Sequence, residues 1–196
     1  MTKVTTQISS RINQGDIYRD IEYIENVLIE NNEIKVSKII FPLVVVLTQD
    51  CDLQQDSAYR IEDVQTPNSD NSRLFSVIVA PLYNEEMFLA GEHLNDNKTI
   101  TMKMTEIPKY GKKSKITTQY NNLINNETPR YHYLEFPENV GIVNSVIDFK
   151  HYFTVNIDNL MKYKESRFVC KISELYRENV SQRFAFFLSR IGLPNK

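Results

Sequence analysis

The chain has no tryptophan, only two cysteines and three histidines, and almost no net charge, at a formal −2. Each shortage removes a class of function. Cys51 and Cys170 have no CxxC partner and no framework spacing, so reduced thiols are expected rather than a disulfide or a redox pair. So few histidines and cysteines, none at short ligand spacing, leave no zinc motif, and neither a metal nor another cofactor is implied. No apolar run approaches the roughly 20 residues that a membrane-spanning helix needs, and the opening MTKVTTQISS lacks the apolar stretch of a secretory signal. These two absences predict a cytoplasmic protein with no membrane partner.

Glycine and proline are scarce too, at five and seven, which argues against low complexity. Neither a repeat nor a linker divides the composition. The expectation is one domain over 1–196, with a barrel core at about 14–170 and a closing helix at about 173–191.

What is present is uneven charge and a series of strand-like segments. From Asp50 to Asp70 there are six acids against one base, Arg60; from Lys98 to Lys115 there are six lysines against one acid, Glu106. GDIYRDIEYI, from Gly15 to Ile24, alternates like a first strand, and Asn31 and Asn32 suit the tight turn of a hairpin. Phe41 to Thr48 is nearly all apolar and rich in valine, as in a central strand covered on both faces. It is expected to run on to Asp52, delivering Gln49, Asp50, Cys51 and Asp52 to its exit. Leu74 to Ala80 repeats this character, with Pro81 expected to end the ladder.

Asn84 followed by EEMFLAG predicts a short capped helix limited by Gly91. TITMKMTEI alternates like a strand, PKYGKKS reads as an exposed loop, and TTQYNNLINN suits a helical turn. RYHYLEF and GIVNSVIDFKHYFTV carry the β-branched and aromatic content of two further strands, and SRFVCKI that of a last one. After Ser173, Tyr176, Val180, Phe184, Phe187 and Ile191 step by three or four, which predicts a helix ended by Gly192 and Pro194. The fold class expected is α+β, mainly β.

Gly15-Asp16-Ile17, PLVVVLTQD from Pro42 to Asp50 and VIVAPL from Val77 to Leu82 together resemble the MazF/PemK toxin family. The resemblance covers about the first 95 residues. It implies an SH3-like barrel, here with insertions and a C-terminal helix, and metal-independent cleavage of single-stranded RNA. The arginine and threonine that serve that cleavage in the family fall at positions held here by Phe41 and Tyr83, so the resemblance implies a barrel retained for binding rather than reaction. Its setting would be a bacterial toxin–antitoxin or phage-defence system. TQDCDL together with LYRENVSQRFAFFLSRIGLP also resembles a group of bacterial proteins that end in a helix and GLP, a likeness that assigns no activity.

Several clusters are candidates for function. Asp50 and Asp52, one residue apart on the same side of an extended exit, suit carboxylate-dependent hydrolysis; the alternative is that they cap a turn. Cys51 between them suits a packed thiol better than a nucleophile, because negative neighbours oppose a thiolate. Lys109, Tyr110, Lys112, Lys113 and Lys115, with Arg130 and Tyr131 downstream, combine phosphate-binding cations with rings that stack on bases, as single-stranded RNA requires; the alternative is a solvated loop. His132 beside Arg130 is the general acid–base candidate for an endoribonuclease, against a structural histidine. Phe184 and Phe187 lie on a helix stripe that suits a protein partner or homodimer, against simple closure of the barrel. A structural adaptor subunit completes the alternatives.

Overall fold

A computed structural model describes residues 1–31, 33–61, 69–94 and 118–190. They form two compact units: one of Val4–Leu82 and His151–Ile172, the other of Met1–Lys3, Tyr83–Lys150 and Ser173–Lys196.

The first unit is a curled antiparallel sheet. Its strands are β1 (Val4–Thr5), β2 (Asp16–Glu30), β3 (Glu33–Val46), β4 (Ser76–Asn84), β7 (Phe153–Asn156) and β8 (Phe168–Ile172), side by side in the order β1, β8, β2, β3, β4, β7. The long β2–β3 hairpin turns where expected, with Asn31 in the left-handed region at φ 53°. At the sheet centre Ile17 faces Val45 and Tyr18 faces Val44, and all four are fully buried although their side chains alternate between the two faces. This is the two-sided burial that the valine run predicts. Tyr18, Val44, Val46, Val77 and Val79 pack with Leu53 from helix α1 (Asp50–Ile61) and with Ile157 and Leu160 from α4 (Ile157–Arg167).

Three local expectations need correction. The polar exit of β3 is not extended: β3 stops at Val46, and Asp50 opens α1, with two acids in the first turn and Arg60 in the last, both favourable to the helix dipole. At about 100° per residue Asp50 and Asp52 point away from each other rather than sharing a side. Pro81 does not end the second core strand, because β4 continues through it with Pro81 opposite Val44; its missing donor is tolerated at that position. GIVNSVIDFKHYFTV is two strands, not one, split by a single 3-10 turn at Phe149–His151.

The second unit pairs β5 (Tyr131–Leu134) with β6 (Ser145–Asp148) and carries α2 (Glu85–Ala90), α3 (Thr118–Ile124) and α5 (Glu174–Leu188). Asn84 caps α2 by accepting from the amides of Glu86 and Met87, and Gly91 closes it at φ 73°, as the sequence predicts. Tyr83, Phe88, Leu89, Leu123 and Val146 form one core, edged by Tyr120, Tyr131 and Tyr133. Phe149 packs against Phe184 and Phe187 of α5, with ring centroids 5.5 and 6.0 Å away. The strand expected from TITMKMTEI and the PKYGKKS loop lie outside the described residues, as do Gly192 and Pro194; α5 ends before the expected stop, at Leu188, with Ser189 as its cap.

Candidate functional site

A connected set of polar groups in the first unit surrounds the end of β3. Gly15, at φ 81°, brings its amide to the carbonyl of Val46 at 2.9 Å, and the Gln14 side chain donates to the carbonyl of Leu47 at 3.0 Å. The Asp50 carboxylate then accepts from both terminal nitrogens of Arg11, at 3.2 and 2.9 Å, and from the Gln14 amide at 3.1 Å. Asp50 therefore fastens the segment before β2 to the start of α1. Asp52 and Cys51 are exposed, and the Cys51 thiol lies 3.6 Å from both Gln49 Oε1 and Asp52 Oδ1.

Beneath this surface lies a buried carboxyl. Asp16 is 1% exposed; its Oδ2 accepts from the Asn13 amide at 2.8 Å, the Asn13 side chain at 3.3 Å and the Tyr18 hydroxyl at 3.2 Å. Burial raises the Asp16 carboxyl above the ordinary carboxylate range against these bonds and the charge of Lys171. Burial, helped by Asp16, pushes the Cys170 thiol up to about 12, so Cys170 is an inert packed thiol. Further along α1, the 2% exposed Asp56 accepts from Arg60 Nε at 2.6 Å and from the Leu74 amide at 2.8 Å, while Arg60 also holds Asp158.

In the second unit, Arg130 forms a bidentate pair with Asp148, at 2.8 and 2.5 Å, and its guanidinium sits 5.1 Å from the centre of the Tyr131 ring. The Asp148 hydrogen bond comes first among the causes that raise the Arg130 pKa. Arg130 and Tyr131 thus form one stacked unit whose charge is already paired, and Tyr131 is half-buried. His132 is 3% exposed, opposite Ile147 on β6, and its Nδ1 has no hydrogen-bond partner among the described residues. Burial first, and the Arg183 charge second, push its imidazole down to about 3. It is a neutral ring at physiological pH. Arg183 of α5 donates to the carbonyls of Thr128 and Tyr131 at 2.8 and 2.9 Å. Phe184 is buried and Phe187 half-buried against Phe149; the exposed large apolar side chains of α5 are Leu175, Phe186 and Leu188.

The structure therefore brings Asp50 to Arg11, leaves Asp52 in solvent, and joins Arg130 to Tyr131 through Asp148. Lys109, Tyr110, Lys112, Lys113 and Lys115 lie outside the described residues. Sequence inspection missed Arg11 and Gln14, whose partners Asp50 and Leu47 are more than 30 residues away, and Asn13, which bonds locally to Asp16 and to the Arg11 carbonyl. It also missed Asp148, whose only sequence signal is an acid at the end of a β-branched run. Among the described residues no group of three or more histidine, cysteine and acidic side chains is disposed to hold a metal ion, and no helix is long and apolar enough to cross a membrane.

His132 has a measurable consequence. Its folded pKa, about 3, lies below its ordinary 6.5, so the unfolded chain binds the proton first as pH falls. Stability is expected to fall on acidification from about 6.5 towards 3, by up to about 1.4 kcal/mol per pH unit from this residue alone. Urea titrations at several pH values should show this slope in the native chain and a shallower one in His132→Gln; equal slopes would contradict the burial.

The fold defines an α+β, mainly β, protein built on a curled antiparallel sheet with a C-terminal helix. No family model matches the chain, and no curated protein matches it.

Proposed function

We propose that the protein is a MazF/PemK-like barrel that binds single-stranded RNA or a protein partner in a bacterial toxin–antitoxin or phage-defence system and does not cleave as those toxins do. One observation supports the loss of chemistry: both positions at which the resemblance expects reacting side chains are used for packing. Phe41 stacks on Phe153 with centroids 5.2 Å apart, and Tyr83 is 7% exposed beside Phe88 and His93. Burial raises the Tyr83 hydroxyl well above its ordinary range, which removes it as a proton donor or acceptor at neutral pH. The competing reading, an endoribonuclease built on His132, needs an imidazole that exchanges protons near neutrality, whereas that of His132 is held near 3. The defence setting follows from the resemblance alone.

The RNA side of the proposal rests on the lysine segment with Tyr110, since the charge of Arg130 is already paired with Asp148 and Tyr131 packs against Phe88. Fluorescence anisotropy with a labelled single-stranded RNA is expected to show binding at low salt that weakens as salt rises. Reversing Lys112→Glu and Lys113→Glu together should weaken it by about 10-fold or more. Absence of binding at low salt, or no effect of the reversal, would leave only the protein-partner half standing.

A further inference from the structure

We infer that the β2–β3 hairpin is a dimerisation arm whose aliphatic face packs on the same face of a second copy of this chain. Among the described residues, β8 accompanies β2 only over Asp16–Tyr18, and β4 accompanies β3 only over Val44–Val46. From there to the turn at Asn31 the hairpin is a two-stranded ribbon. Such a ribbon is marginal by itself in water, and its outward face would ordinarily be polar.

The register shows that it is not. The opposed pairs Val27↔Val36 and Ile29↔Ile34, with Ile24 opposite Lys38 and Ile40 opposite Glu22, place Ile24, Val27, Ile29, Ile34, Val36 and Ile40 on one face. The irregularity between Ile24 and Asn26 keeps Ile24 and Val27 in phase despite their odd spacing. All six aliphatics are between 52% and 76% exposed. The opposite face is spent differently: Ile21, Tyr23 and Phe41 join the core at its root, and Lys35 pairs with Glu30 near its tip.

Charge and area select the occupant. In a two-fold contact each patch meets its own copy, so a charged face repels itself. Here the two ionised side chains on the face, Lys38 and Glu22, neutralise each other at 3.0 Å. The same pairing leaves no spare cation for a nucleic acid. Six β-branched side chains offer on the order of 500 Å² of apolar surface per copy, or about 1,000 Å² for a pair, the size at which specific interfaces begin. Their rows can interdigitate as two sheets do at about 10 Å.

Sedimentation velocity on the full chain at tens of micromolar tests the inference. The native chain is expected to sediment as two chains. The double substitution Val27→Lys with Val36→Lys, at exposed positions, should raise the dissociation constant by at least about 100-fold with an unchanged far-ultraviolet circular dichroism spectrum. If the lysines disturb the strand signal, Val27→Thr with Val36→Thr, which keeps the β-branched shape, should still weaken the dimer. A native chain that sediments as a single copy, or a dimer unaffected by substitutions that leave the fold intact, would overturn the inference; a single-copy particle that captures a helical peptide would reassign the face to a partner helix.

Discussion

Replacing Phe149 with alanine is expected to lower stability by about 3–5 kcal/mol, the range for deleting a fully buried aromatic ring. Phe149 is 0% exposed and touches three rings: Phe184 at 5.5 Å, Phe187 at 6.0 Å and His132 at 6.3 Å between centroids. It joins the strip after β6 to α5, so the cavity would open between those two elements. Urea denaturation followed by far-ultraviolet circular dichroism, with and without the substitution, measures the loss. A loss below about 1 kcal/mol, the scale of a loosely packed surface contact, would mean that Phe149 does not fasten α5.

Substituting Asp56→Ala should cost about 2–3 kcal/mol. The carboxylate bridges three elements from one buried position: it takes Arg60 Nε four residues on along α1, and the amide of Leu74 just before β4, while Arg60 reaches Asp158 on α4. Removing it strands the Leu74 amide and takes from Arg60 Nε its partner within α1. Arg60 keeps Asp158 and the carbonyl of Leu74, which holds the loss below that of a fully abandoned ion pair. Asp56→Asn, which retains an acceptor, should recover part of it. A shift of the thermal midpoint within error for Asp56→Ala would show that Asp56 does not join these elements.

The parts of this fold that could be read from sequence are those whose local pattern and tertiary role agree. The valine run at Val44–Val46, the asparagine turn at Asn31, the Asn84 cap with its Gly91 stop, and the three-and-four spacing of Val180 and Phe184 each follow from a single local rule. Helices α1 and α4 were hidden because each buries few apolar residues, Leu53 in one and Ile157 with Leu160 in the other, too few to show a 3.6-residue period. Asp50, Cys51 and Asp52 therefore read as the extended exit of the strand before them rather than as the first turn of a helix. Long-range partnership was the larger gap: that Asp50 belongs to Arg11, Arg130 to Asp148 and Arg183 to two backbone carbonyls depends on chain crossings that no local pattern encodes. The aliphatic ribbon face was also hidden, since its phase depends on the irregularity after Ile24.

The proposed function separates binding from cleavage, and one gel does so directly. The native chain is incubated with a labelled single-stranded RNA in metal-free buffer at low salt and neutral pH, then run on paired native and denaturing gels. A shifted band on the first and an intact band on the second are expected. Cleavage products that form with the native chain and vanish with His132→Gln would contradict the reading, because they would require a reactive imidazole where the structure has a buried neutral one.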